Sequence, residues 1–409
     1  MLKKALIVIN SLLLLTAAVI AVFSYTLPDN YYITDGAGVD SLPSFVTFSP
    51  ETGNVVAPAI SDSEQMTTGQ LRVFGVIPVK EARVYNMGTP MLIPSGQSFG
   101  IKMFTDGVMV TDISGFESGS KSLNSFVSPA KDAGIKPGDV IKTISTVPVT
   151  SNADVSRVVR WSDGETMTIV FTRDDEEKTV KVTPQKGYDG VWKIGMWVRD
   201  SSAGIGTMTF FDPATNRFAG LGHPVCDNSS GALLPLASGE VVPVSVENVI
   251  RGRAGAAGEL TGKFITDSRL EIGKLLVNSQ SGVYGTLNDG IIDIESNTLI
   301  PLGTRSQIKE GKAFIISTID SSEPTLYSIE IETIDLSGKD GKDMVIKVTD
   351  DRLLTRTGGI VQGMSGSPIL QDSRLVGAVT HVFVNNPQKG YAIFADTMYA
   401  EEIECKGSL

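Results

Sequence analysis

Residues 359–369 read GIVQGMSGSPI and set two serines, Ser365 and Ser367, among glycines ahead of an apolar run. A serine hydroxyl attacks a carbonyl only beside a base that takes its proton and beside donors that receive the developing negative charge. Gly363-Met364-Ser365-Gly366 suits the second need. Glycines let the backbone turn so that the N–H groups of Gly363 and Ser365 meet beside the Ser365 hydroxyl, an oxyanion hole. Losing one such donor typically slows turnover about 100- to 1000-fold. Position 367 is Ser where a Gly-x-Ser-x-Gly elbow needs Gly, which selects Ser365 over Ser367. The same residue types also make plain turns, so the reading depends on finding a base.

The chain has two histidines, His223 and His381. His223 stands in FAGLGHPVCD, a glycine-rich strand end where a ring can reach a cleft, and is the expected base. His381 stands mid-strand in GAVTHVFV and is expected to be a buried structural histidine. A carboxylate that orients the imidazole completes such a site. Asp350 and Asp351 close the apolar strand MVIKVTDD, and Asp227 follows His223 closely; spacing leaves all three open.

These residues belong to a chain of 409 residues with 42 glycines and a net charge of −11. Short Val/Ile/Thr-rich runs between turn residues predict a mainly β protein. The acidic balance argues against nucleic acid as a ligand. Two histidines exclude a His-rich metal site, Cys226 and Cys405 have no metal-ligand spacing, and no cofactor is expected. The two cysteines pair or stay free on this evidence. Residues 189–409 read as a barrel or sandwich of short strands. Within it the hairpin GIGTMTFF-DPATN-RFAGLGH delivers His223, and GAVTHVFV-NNPQKG-YAIFAD follows the serines.

At the N-terminus, Lys3 and Lys4 precede the apolar run Ala5–Phe23, which as a helix spans about 28 Å, close to a bilayer core. Residues 1–25 are read as a transmembrane anchor or signal segment, with the positive end inside and the bulk of the chain exported. Residues 26–71, rich in Pro, Ser, Asp and Gly, are read as a linker.

Residues 72–188 form the next unit: strands, the short helix and turn of SPAKDAGIKPGDVI, the N-capped amphipathic helix SNADVSRVVRW, and a hairpin with an acidic tip. SPAKDAGIKPGDVI resembles the Ala-Gly-Leu-x-x-Gly-Asp segment of PDZ domains. That resemblance implies a groove that adds an extended peptide to a sheet edge, with Ser98, Phe99, Gly100 and Ile101 receiving a peptide terminus. A spacer with an unused groove is the plainer alternative.

Gly363-Met364-Ser365-Gly366-Ser367-Pro368 has the Gly-x-Ser-Gly-x-Pro form found around the nucleophile of chymotrypsin-like peptidases. With the anchor, the PDZ-like unit, GLGH and VTDDRLLTRTGGIVQGMSGSPIL, the chain resembles the stage IV sporulation protein B peptidases of endospore-forming bacteria. The resemblance implies a PDZ-containing serine endopeptidase with a chymotrypsin-related double β-barrel, and catalytic residues at His223, Asp350 and Ser365. It further implies export to the space between the forespore membranes and cleavage of the enzyme itself, within the linker. Its other substrate would be a membrane-bound regulator of an intramembrane metalloprotease, whose cleavage releases a late sigma factor. The competing reading is an inactive PDZ adapter that assembles a membrane complex.

Overall fold

The computed structural model describes residues 2–33, 45–50, 65–119, 126–174, 176–265, 271–320, 323–336 and 341–404. The apolar N-terminal run forms the helix Leu2–Thr26. One side of its last turns joins the protein core: Val19 and Phe23 pack with Leu27, Tyr31 and Leu71. Among the described residues no helix is long and apolar enough to cross a membrane, so the expected transmembrane helix is not found here.

The expected linker contains strands. Asn30–Ile33, Val46–Pro50 and Gln65–Val73 join Ile77–Asn86 in a four-stranded sheet. Alternation explains it: Leu71, Val73, Ala82 and Val84 project to one buried face, as the two-residue period of a strand requires. Residues 34–44 and 51–64 of that segment lie outside the described residues. Tyr32 and Tyr85 of this sheet stack on each other and pack in a core shared with Phe210, Met398 and Tyr399.

The PDZ-like unit has its own core of Val108, Ile141, Ile144, Ile169 and Phe171. Its helix Asn152–Trp161 starts at a capping box between Ser151 and Asp154 and buries Val155, Val158 and Val159, the face its periodicity predicts. The Gly-Asp turn of the motif is pinned by Arg173, whose Nε and Nη2 reach the Asp139 carboxylate at 2.6 and 2.7 Å.

Two rings of strands make up the remainder. Ser98–Ile113 pairs with Met196–Asp212 on one edge, and that strand leads through Arg217–Gly220, Gly282–Leu287 and Gly273–Ser279 to Leu236–Ile250. Leu236–Ile250 pairs back onto the other edge of Ser98–Ile113 and closes the first ring around Phe99, Met103, Phe218, Val241 and Leu275. The second is a closed barrel of Gly311–Ser317, Thr325–Ile334, Met344–Val348, Lys389–Phe394, Arg374–Val382 and Pro368–Gln371 around Ile315, Ile346, Ile369 and Phe394. The final helix, Ala395–Glu404, seals the seam, with Asp396 buried against Arg305 at 2.9 Å.

Candidate active site

Each ring delivers one reactive side chain. In the first, the strand Arg217–Gly220 ends in Leu221 and Gly222, both left-handed at φ +66° and +70°. That reversal turns His223 out of the sheet. In the second, the short helix Asp351–Thr357 runs through Val361 and Gln362 into a turn in which Gly363 and Gly366 have φ of +97° and +95°. A side chain at Gly366 is impossible, because its Cβ would lie 1.9 Å from the carbonyl oxygen of Thr207. The turn brings Ser365 to a cavity of about 620 Å³ between the rings that His223 also lines, with His381, Arg199, Gly204 and Cys226 on its walls.

The Ser365 hydroxyl donates to the Thr380 carbonyl at 2.8 Å. The Nδ1 of His223 lies 2.8 Å from the carbonyl oxygen of Pro224. A carbonyl only accepts, so this contact selects the tautomer protonated on Nδ1 and leaves the Nε2 lone pair available. Burial pushes the His223 pKa down, against the pull of the Pro224 carbonyl. His381 is not buried as expected. Its ring is exposed at the cavity, its centroid 4.9 Å from that of His223. Desolvation by the cavity walls, then His223 and Lys342, push it down to about 4. For both rings burial favours the neutral form.

The chain matches the model of the SpoIVB peptidase S55 over residues 190–399 and that of a PDZ domain over residues 100–183. It belongs to the SpoIVB peptidase S55 family. This S55 chain also carries a stretch that matches a PDZ domain. It is also 39% identical over 59 residues to the serine protease HTRA1 of Xenopus tropicalis, 14% of this chain and 13% of that one. The chain spans 16% or less of the length of the curated relatives it matches. Among solved structures, a protease from M. tuberculosis in its active form aligns at 14% identity with a TM-score of 0.29, over 50% of this chain and 75% of that one. The PDZ domain of an SdrC-like protein from Listeria monocytogenes aligns at 21% identity with a TM-score of 0.18, over 23% and 87%.

The other expected site residues of the S55 peptidase lie elsewhere. Asp350 is the N-cap of the helix Asp351–Thr357 and accepts from the Arg352 and Leu353 N–H groups. Its carboxylate also takes the Arg352 guanidinium, at 3.0 Å from Nε and 2.9 Å from Nη2, and the Ser328 N–H. Those bonds, Arg352 first, hold its pKa down at about 2. Asp350 does not line the cavity that holds His223 and Ser365, so the structure does not bring the three together. Asp351 is exposed in the first turn of that helix. Asp227 is fully buried and also absent from the cavity wall. Burial would raise its pKa, but bonds from Ser230 and Ser229 and the charge of Arg199, 3.0 Å away, outweigh that and lower it.

Ser367 is buried, and its hydroxyl donates to Ser317 at 3.0 Å. Cys226 is a free thiol on the cavity wall, and Cys405 lies outside the described residues. No group of three or more metal-ligating side chains occurs among the described residues.

Ser98, Phe99, Gly100 and Ile101 require a correction. They form no open loop but the start of the strand Ser98–Ile113, paired with Gly204–Thr207 on one edge and, from Phe99 on, with Val241–Pro243 on the other. A peptide added to a sheet needs a free edge, and this stretch has none. Sequence reading missed the Pro224 and Thr380 carbonyls as well, because a backbone acceptor leaves no residue-type signal.

Proposed function

We propose that this S55 peptidase hydrolyses peptide bonds with Ser365 as nucleophile and His223 as general base, and that the Pro224 carbonyl takes the orienting place expected of an aspartate. The observation that carries it is the delivery to one cavity, by two different rings, of Ser365 and of a His223 whose Nδ1 faces the Pro224 carbonyl. The Ser365 hydroxyl leaves the Thr380 carbonyl and turns to His223 Nε2. Its oxygen then bonds to the scissile carbonyl carbon as its proton passes to Nε2. The resulting oxyanion accepts from the Gly363 and Ser365 N–H groups. The imidazolium returns the proton to the leaving amine as the C–N bond breaks, and water hydrolyses the acyl-enzyme by the same steps.

The substrates are this chain itself and a membrane-bound regulatory protein that controls an intramembrane metalloprotease, so that cleavage triggers processing of a late sporulation sigma factor. Family membership supports that reading. The self-cleavage site is assigned to the turn-rich N-terminal segment. Lys3, Lys4 and the apolar run Ala5–Phe23 support a membrane-directed N-terminus with the peptidase exported, in a sporulating cell to the space between the forespore membranes. The PDZ unit supports capture of a protein partner, at a place other than Ser98–Ile101.

The test is fluorophosphonate labelling of the purified protein, alongside its processing in a host lacking exported proteases. Wild type is expected to label and to shorten at its N-terminus. Ser365→Ala is expected to do neither. Labelling of Ser365→Ala would overturn the nucleophile, and trimming of that variant to the wild-type N-terminus would overturn self-cleavage.

A further inference from the structure

The turn that carries Ser365 is tied to the opposite ring by two threonines. Thr207 and Thr209 stand on the strand Met196–Asp212 of the first ring, both with 0% exposure. The Thr207 N–H donates to the Ser365 carbonyl at 2.9 Å. The Thr207 hydroxyl donates to the Gly363 carbonyl at 2.7 Å, and the Thr209 hydroxyl to the Gly366 carbonyl at 2.8 Å. Three carbonyls of one turn therefore face one strand. From the other side, the Gly366 N–H donates to Val379 at 2.7 Å and the Ser367 N–H to Met364 at 2.9 Å. The N–H groups of Gly363 and Ser365 take no part in these bonds. A planar peptide ties each carbonyl to the N–H of the next residue, so these bonds fix the planes that carry the Met364, Gly366 and Ser367 N–H groups, and the Ser365 N–H lies between two fixed planes.

We propose that Thr207 and Thr209 are positioning residues for the oxyanion hole. Their hydroxyls hold the turn on either side of the Ser365 N–H, so that this donor is aimed to meet the Gly363 N–H before substrate arrives. This deepens the reading of Ser365 as nucleophile and rests on it. The chemical reason for a hydroxyl is specific. Valine has the same shape, but it would leave a buried glycine carbonyl without its donor and free the turn to rotate. Serine keeps the donor and loses only a methyl group. Donors aimed in advance act on the transition state rather than on substrate binding, so the loss belongs in kcat and not in KM.

The experiment compares Thr207→Val, Thr207→Ser, Thr209→Val and Ser365→Ala on one peptide substrate, with the rate of fluorophosphonate labelling and thermal unfolding as companion readouts. Thr207→Val is expected to lower kcat and the labelling rate together by about ten- to a hundredfold, with KM changed less than about twofold. Thr209→Val should follow the same pattern, and Thr207→Ser should keep kcat within about threefold of wild type. If folded Thr207→Val and Thr209→Val keep both rates while Ser365→Ala is dead, the positioning role is wrong and the nucleophile stands. Labelling of Ser365→Ala would instead remove the nucleophile itself. Should the valine variants not fold, Thr207→Ser decides: loss of more than about tenfold in its kcat, with unfolding unchanged, overturns the assignment to the hydroxyl, and a retained kcat supports it.

Discussion

The Nδ1 of His223 is 2.8 Å from the carbonyl oxygen of the very next residue, Pro224. An aspartate in that place would orient the ring and also neutralise the imidazolium that forms during attack. The carbonyl does the first through hydrogen bonding and the second only through its dipole. What the protein retains is a base with its lone pair on Nε2 in the resting state.

Ser365→Ala is expected to abolish peptide hydrolysis, whereas Ser367→Ala should keep most of it. The Ser367 hydroxyl is buried against Ser317 and lies away from the cavity. Its removal should show in stability, by about 1 kcal/mol in urea unfolding, rather than in kcat. Equal and near-complete loss of kcat in both folded variants would defeat the assignment.

Asp350→Asn should keep kcat/KM within about threefold of wild type, since Asn caps a helix about as well as Asp. Asp350→Ala removes the cap and the Arg352 pairing, and should cost about 0.5–2 kcal/mol of stability. The pair of variants separates a cap from a catalytic acid. An aspartate that set the imidazole tautomer would make Asp350→Asn as damaging as a lost triad member, on the order of 10⁴-fold in kcat.

The acidic limb of kcat/KM against pH should fall below about 6.5, the ordinary value for histidine. Burial lowers the pKa of His223, so the ring stays neutral, and able to accept a proton, to lower pH than a solvated one. Initial rates on a peptide substrate across pH 4–8 measure this directly. A limb centred above 6.5 would mean that the base sits in a different environment in the free enzyme.

Asp343 predicts a stability change with pH. It is buried, one of its oxygens has no hydrogen-bond partner, and burial raises its pKa from 3.8 to about 7. The Phe394 N–H and Arg305 oppose that rise, and Asp396 adds to it. A carboxyl with a raised pKa holds its proton more tightly folded than unfolded. Its contribution is therefore complete below about pH 4 and lost as pH rises through about 7, on the order of a few kcal/mol. Asp343→Asn should flatten this slope, which urea midpoints at pH 5 and pH 8 would reveal. An unchanged slope would assign the effect to other groups.

How far the sequence reveals this arrangement depends on the range of the interactions. The helix Asn152–Trp161 is legible because its cap and its valine face are local. Ser365 is legible because the turn needs glycines at 363 and 366 whatever surrounds it. His223 is legible as a strand-end residue, but its orienting partner is not, since main-chain atoms carry no residue-type signal. Asp350 did leave a local clue: an acidic residue at the end of a strand, followed by the apolar-periodic DRLLTRT, is also a helix start. Ser98–Ile101 could not be placed from sequence, because both neighbouring strands come from more than ninety residues downstream. The strands Asn30–Ile33 and Val46–Pro50 were hidden by their shortness and by the turn formers around them.

The double pairing of Ser98–Ile113 also dictates an order of folding. A chain synthesised from its N-terminus presents this strand long before residues 196–212 and 236–243 exist to cover it. Until then residues 99–104 carry open N–H and C=O groups on both edges, the condition under which strands join neighbouring molecules. Completion waits on contacts of long sequence separation and is slow for that reason. A fragment ending near residue 190 would hold the whole stretch matched by the PDZ model and still expose the two edges. It is expected to associate with itself at concentrations where the full chain stays monodisperse. Nascent protein would then depend on a holdase for as long as the downstream strands are unmade.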